Sequence, residues 1–133
     1  MSVCDASLVT DALIAAGPHG DAAIARILQT SQWHAPHLLP AEVMSALRGL
    51  VRGRHVSRPV AQAAQARLRS MRLTCHPFDP YNERAWELRE NATPYDAWFV
   101  AMAEALAAPL VTTDAKLGRI PGIRCQVEVI AGS

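Results

Sequence analysis

Apolar residues in this chain fall into short runs separated by amphipathic stretches, the alternation expected of strands interleaved with helices. Val3-Cys4 is a brief apolar run leading into Asp5-Ala6-Ser7, and Leu8 to Ala16 then reads as a helix until Gly17-Pro18 breaks it. Ile24, Ile27 and Leu28 recur at helical spacing within Asp21 to Thr30. His34 to Leu39 predicts a short strand or extended entry, and Pro40 suits a helix start. From Ala41 to Gly53, the residues Val43, Met44, Leu47, Leu50 and Val51 make one apolar stripe, with Glu42 near the first turn but off it. Ser57 as cap, with Pro59 close behind, opens a further helix through Arg69, and Met71 to His76 follows as a strand. Asp79-Pro80 starts a helix carrying Ala85, Trp86 and Leu88. Thr93-Pro94-Tyr95-Asp96 opens a strongly apolar one from Tyr95 to Ala107, which Pro109 stops. Leu110-Val111-Thr112 reads as a central strand ending at Thr113-Asp114, and Val127 to Ile130 as the last strand. The pattern predicts an α/β fold around a mainly parallel sheet.

No long linker, repeat or low-complexity segment interrupts this order, and 133 residues suit one domain spanning 1–133 with one core. Half the residues are hydrophobic and 19% charged, which excludes a disordered chain. The longest unbroken apolar run, Ala97 to Ala103, is far too short to cross a bilayer, and the opening segment has no basic stretch before an apolar one. A cytoplasmic protein with no membrane association is expected. Three scattered cysteines, Cys4, Cys75 and Cys125, suggest neither a disulfide framework nor a metal pair and are expected as buried thiols.

A net charge of +1 neither supports nor excludes RNA as a partner. Arginine supplies nearly all the positive charge. The cluster Arg48, Arg52, Arg54, His55 and Arg58 reads as a solvated helix end complementing the C-terminal dipole.

Four acids change the picture. Asp5 and Asp114 lie just beyond candidate strands, and Glu42 and Asp96 in first turns of candidate helices. In a parallel sheet, strand C-termini and helix N-termini meet at one edge, where ligands collect, so acids far apart in sequence can converge there. Converging carboxylates repel one another, and a hard divalent cation with oxygen ligands relieves the conflict while binding phosphate and activating water. Each acid alone has a plainer explanation, since an acid in a first turn ordinarily serves the dipole or a cap. Thr93 and Asp96 have the spacing of a capping pair, and Asp114 could cap the segment containing Lys116-Leu117.

Several segments together resemble one family. Val3-Cys4-Asp5-Ala6-Ser7 resembles the opening of PIN domains, and His34 to Val43 with Ala46-Leu47-Arg48 is similar to the second-acid segment of VapC toxins. Asn91 to Ala97 with Val100 to Leu106 resembles the third-acid helix, and Leu110-Val111-Thr112-Thr113-Asp114 the fourth-acid segment. The resemblance spans nearly the whole chain in the expected order. It implies a three-layer α/β/α PIN-like domain, usually dimeric, hydrolysing single-stranded or looped RNA with Mg²⁺ or Mn²⁺ and neutralised by a VapB-type antitoxin. Carried over by position, Asp5, Glu42, Asp96 and Asp114 are the catalytic, metal-binding set. Asp5 and Asp96 are then the principal ligands, and Ser7, Thr112 and, more weakly, Thr113 are neighbouring hydroxyls that orient carboxylates. The implied reaction is in-line attack of an activated water on a phosphodiester, with no covalent intermediate.

The remaining residues are read structurally. Trp33 and Trp86 are expected as core or interface anchors rather than base-stacking platforms, and Trp98 as packing, because aromatics are few and do not alternate with arginines. His34, His37 and His76 give little support for a zinc site. An apolar surface on the helical segments between Pro59 and Trp86 could receive an antitoxin segment. A binding module that captures RNA or a partner chain is the first competing reading. A phospho-accepting α/β domain is the second, but it would want another acid near the first strand, or an Asp where Ser7 stands.

Overall fold

Five strands, all parallel, form one sheet in the order β3-β2-β1-β4-β5 in a computed structural model that describes residues 1–130. They are β1 (Ser2–Cys4), β2 (Trp33–Pro36), β3 (Leu73–His76), β4 (Leu110–Thr112) and β5 (Val127–Val129). Every residue of the central strands β1 and β4 is buried, as expected of a parallel sheet covered on both faces. In register, Val3 lies opposite both His34 of β2 and Leu110 of β4. The chain leaves β1 toward β2 and β3 on one side and ends on β4 and β5 on the other, so the order reverses between β1 and β4. That reversal opens a crevice beyond the C-termini of these two strands.

Six helices flank the sheet: α1 (Ala6–Ile14), α2 (Gly17–Leu28), α3 (Leu39–Arg52), α4 (Arg58–Ser70), α5 (Asn82–Glu87) and α6 (Pro94–Leu106). Helices α1 to α4 pack on one another, whereas α5 packs on α6, which lies against β1, β2 and β4. Leu8, Val9, Leu39, Val43, Val100 and Met102 are fully buried against Val3, Leu110 and Val111 and form the centre of the core. Short 3-10 helices cover Asp79–Tyr81, where the sequence predicts the start of a longer helix, and Ala115–Arg119.

One boundary differs instructively. Gly17-Pro18 is a helix start, not only a break: Pro18 sits in the first turn of α2, where its missing N–H is no loss. The preceding helix ends on Ala15 in the left-handed region at φ 55°. Gly20 lets α2 pass close to that end, since a Cβ there would lie 2.7 Å from the Ala15 carbonyl carbon.

Two expectations need correction. Cys4 is buried, but Cys75 and Cys125 are only half-buried, because they lie at the margins of the core on and beside outer strands. Trp33 is a core residue and half-buried Trp98 packs edge-on to Phe78, but Trp86 is 67% exposed, so it is no core anchor. Its helix is barely more than one turn long, and Ala85 and Leu88 supply the buried side. Among the described residues, no helix is long and apolar enough to cross a membrane.

Candidate active site

Asp5 occupies the crevice because β1 delivers it there and α1 begins on it. It is the N-cap of α1, with Oδ1 accepting from the Leu8 N–H at 3.1 Å, and it is only 7% exposed. Ser7 Oγ donates to Oδ1 at 2.8 Å, and Thr112 Oγ1, at the end of β4, donates to Oδ2 at 2.5 Å. Each hydroxyl has one hydrogen, and both go to Asp5, so Thr112 acts as acceptor toward the Asp114 N–H (2.9 Å) and Ser7 toward the Thr113 N–H (3.1 Å). These bonds hold the loop after β4 against the start of α1 and place Asp114 beside Asp5.

The other acids arrive on helix starts and in the loop. Glu42 lies in the first turn of α3, half-buried, and its Oε1 is shielded from solvent with no hydrogen-bond partner. Asp96 lies in the first turn of α6, exposed; its N–H donates to the Thr93 cap at 3.2 Å, while among the described residues its carboxylate accepts no hydrogen bond. The capping pair is therefore one-sided, and the Asp96 carboxylate remains open. Asp114 caps the Ala115–Arg119 turn through the Lys116 N–H at 2.9 Å and is also exposed, so its other oxygen has access to solvent.

Electrostatics joins the four. Burial pushes the Glu42 carboxyl up to about 7, with the charges of Asp96 and then Asp5 adding to it. Burial also raises Asp5 against the hydrogen bonds from Thr112, Leu8 and Ser7, with the Asp114 charge adding a further push, and Asp96 rises through burial and then the Asp114 charge. Asp5, Glu42 and Asp96 thus each feel the charge of at least one other acid of the set, although the four come from positions 5, 42, 96 and 114. The side chains do not form a ready three-ligand cage among the described residues. A hard cation needs only one or two direct carboxylates, with waters completing its shell.

Thr113 contributes through its backbone. Burial raises the carboxyl of Asp11 on α1, against a lowering by Thr113 and by the His19 charge. The sequence reading did not single Asp11 out. Six residues on from Asp5, it falls on another side of the helix, so no spacing links the two. A sequence match to the PIN domain covers residues 2–123. The chain belongs to the VapC family of PIN-domain ribonucleases. It is 42% identical over 130 residues to ribonuclease VapC1 of Mycobacterium tuberculosis, covering 96% of each chain, and 33% identical to ribonuclease VapC9 of the same organism, covering 98% of each.

Solved structures agree on the fold. The crystal structure of Mycobacterium tuberculosis VapC20, a Sarcin-Ricin loop cleaving toxin, matches with a TM-score of 0.70 at 16% identity, over 93% of this chain and 97% of that one. VapBC2 from Rickettsia felis, bound to a DNA fragment from its promoter, matches with a TM-score of 0.65 at 18% identity, over 98% of both chains. PIN-domain nucleases work with divalent metal ions. The residues of this VapC-family chain fit such an ion by their chemistry: every donor in the crevice is a hard oxygen, and Glu42 Oε1 is buried without a partner.

Proposed function

We propose that this chain is an Mg²⁺- or Mn²⁺-dependent endoribonuclease toxin in which Asp5, Glu42, Asp96 and Asp114 form the catalytic set. One observation carries the reading: acids from four separate segments meet at the reversal point of a parallel sheet, where the charges of Asp96 and Asp5 add to the rise of Glu42 and the charge of Asp114 adds to that of Asp5 and Asp96. Asp5 and Asp96 would hold the cation, with Glu42 and Asp114 ligating directly or through water. When bound, the cation offsets charge developing on the phosphate oxygens and supplies a nucleophile at neutral pH. Ser7 and Thr112 fix both oxygens of Asp5 so that its carboxylate does not turn away from the crevice. Exposed Asp96 and Asp114 line the open side, from which a phosphodiester of single-stranded or looped RNA approaches.

A VapB-type antitoxin is the expected partner, and a homodimer the expected assembly. Support for a peptide seat is the groove of about 390 Å³ between α3 and α4, lined by Met44, Leu47, Val51 and Ala61 with Arg48 and Arg52 at its rim. A phospho-accepting role for Asp5 has less support, because the residue is nearly closed to solvent and both its oxygens already accept hydrogen bonds.

The test is cleavage of total cellular RNA by purified protein with Mg²⁺ or Mn²⁺ and with EDTA, alongside Asp96→Asn. Cleavage that needs metal and is lost in a folded Asp96→Asn variant is expected. RNA binding with no metal-dependent cleavage would instead make the chain a binding module.

A further inference from the structure

Beyond the acidic pocket, one surface feature is unaccounted for. Trp86 on α5 is 67% exposed, although an indole ordinarily gains by burial. The Arg89 guanidinium stands 4.5 Å from its ring centroid and is held in place as Arg89 Nη1 donates to the Trp86 carbonyl at 3.0 Å. Together with Phe78, Ala85, Ala92 and Pro94, these two side chains line a groove of about 330 Å³. Its wall is fixed by Phe78, which packs edge-on against Trp98 with ring centroids 5.1 Å apart. The groove ends at Pro94 in the first turn of α6, and Asp96 belongs to the same turn.

We propose that this groove is a nucleobase subsite, in which one base of the RNA, flanking the phosphate to be cut, stacks on Trp86 while Arg89 meets a neighbouring phosphate. The inference rests on the ribonuclease reading above and adds to it a specificity-determining surface. Three features select a nucleobase. The volume is at the small end for ligand sites and suits one planar ring system, not a helix. The Arg89 guanidinium lies over the indole ring, so a base stacks on the ring's other face or on the outer plane of the guanidinium. The apolar slot also carries the positive charge of Arg89, and its lining includes Pro94, two residues before Asp96 in the first turn of α6. Among the described residues, the one carboxylate in ion-pair reach of Arg89 is that of Glu90 at 3.7 Å, in an exposed pair that exchanges readily for a phosphate.

Trp86→Ala, Trp86→Phe and Arg89→Ala test this with a short single-stranded RNA that the native protein cleaves. Trp86→Ala is expected to raise KM about 10-fold with kcat nearly unchanged, and Trp86→Phe to keep most of the affinity. Trp86 is solvent-exposed, so the thermal midpoint should not move. A scan replacing one nucleotide at a time by an abasic residue should find a single position near the cut whose loss weakens binding to the native chain but not to Trp86→Ala. Tryptophan fluorescence of the Asp5→Asn variant, which is expected to bind without cutting, should be quenched by the intact RNA and much less by that abasic strand.

Equal KM for native and Trp86→Ala proteins, or an abasic profile identical in both, overturns the subsite. So does a Trp86→Ala variant that changes only the monomer–dimer balance, which would assign the groove to a second copy of the chain. If the native protein cuts no RNA but still shows Trp86-dependent binding with one sensitive abasic position, the catalytic reading fails and the subsite stands.

Discussion

Replacing Glu42 with Gln should stabilise the metal-free protein while removing its activity. The Glu42 carboxyl is pushed from 4.5 to about 7 by burial and by the charges of Asp96 and Asp5. A rise of that size corresponds to a ceiling of about 3 kcal/mol, at about 1.4 kcal/mol per unit. Because Glu42 is only half-buried, screening by solvent reduces this to about 1–2 kcal/mol. The folded state holds the proton where the unfolded chain releases it, so native stability falls as pH rises from about 4.5 to 7 and stays low above that range. Gln, of the same shape and without charge, escapes this loss.

Thermal unfolding in EDTA should therefore place Glu42→Gln about 4–8 °C above the native chain at pH 8 and level with it near pH 4. With saturating Mg²⁺ or Mn²⁺ the order should narrow or invert, because the ion stabilises the native chain more than the variant. A variant less stable than the native chain at pH 8 in EDTA, or a gap of the same size at both pH values, would refute the reasoning.

Other outcomes follow from named contacts. Thr112→Val removes the donor to Asp5 Oδ2 and the acceptor for the Asp114 N–H, so RNA cleavage should fall about 10- to 100-fold, with circular dichroism unchanged. Arg84 donates to both oxygens of Glu104, to Glu87 and to the Gly122 carbonyl, tying α5, α6 and the segment before β5 together. Urea denaturation of Arg84→Ala should show a loss of about 2–4 kcal/mol at pH 7, since Glu104 is left largely buried without its partner. Burial raises the Glu104 carboxyl, but the bonds from Arg84 and the Arg124 N–H outweigh it and hold the group below the ordinary carboxylate range. The native advantage over Arg84→Ala is therefore present in full above about pH 4.5 and should shrink as pH falls through the depressed value. Gly20→Ala should lower the thermal midpoint measurably, because its Cβ meets the Ala15 backbone rather than a movable side chain.

Much of this architecture was legible because parallel strands and amphipathic helices leave period and punctuation in the sequence. Val3-Cys4 reads as a strand and Leu110-Val111-Thr112, an unbroken run, as a central one, and both are fully buried. The pairing of strand ends with helix starts identified where Asp5, Glu42, Asp96 and Asp114 should gather, although only tertiary packing decides that Glu42 is half-buried while Asp96 stays open. The hydroxyl lattice was half visible. Ser7 and Thr112 were expected near the acids, but the assignment of each hydrogen, and the joining of Thr113 to Ser7 through its backbone N–H, depend on rotamers that no spacing encodes. The same limit explains Trp86. A tryptophan in a short apolar stretch reads as buried, and only the brevity of α5, with Ala85 and Leu88 filling its inner side, leaves the indole outside. Likewise the 2.8 Å contact between His34 Nδ1 and His76 Nε2 follows from β2 lying beside the edge strand β3, in a register that periodicity does not fix.

The central claim is that four remote carboxylates act as one cation-binding set. Mn²⁺ titration followed by electron paramagnetic resonance tests it directly, on the native chain and on Asp5→Asn, Glu42→Gln, Asp96→Asn and Asp114→Asn separately. Tight Mn²⁺ binding to the native chain, weakened in each folded variant in step with RNA cleavage, is the predicted result. Mn²⁺ affinity untouched by all four substitutions, with RNA cleavage persisting in EDTA, would contradict it.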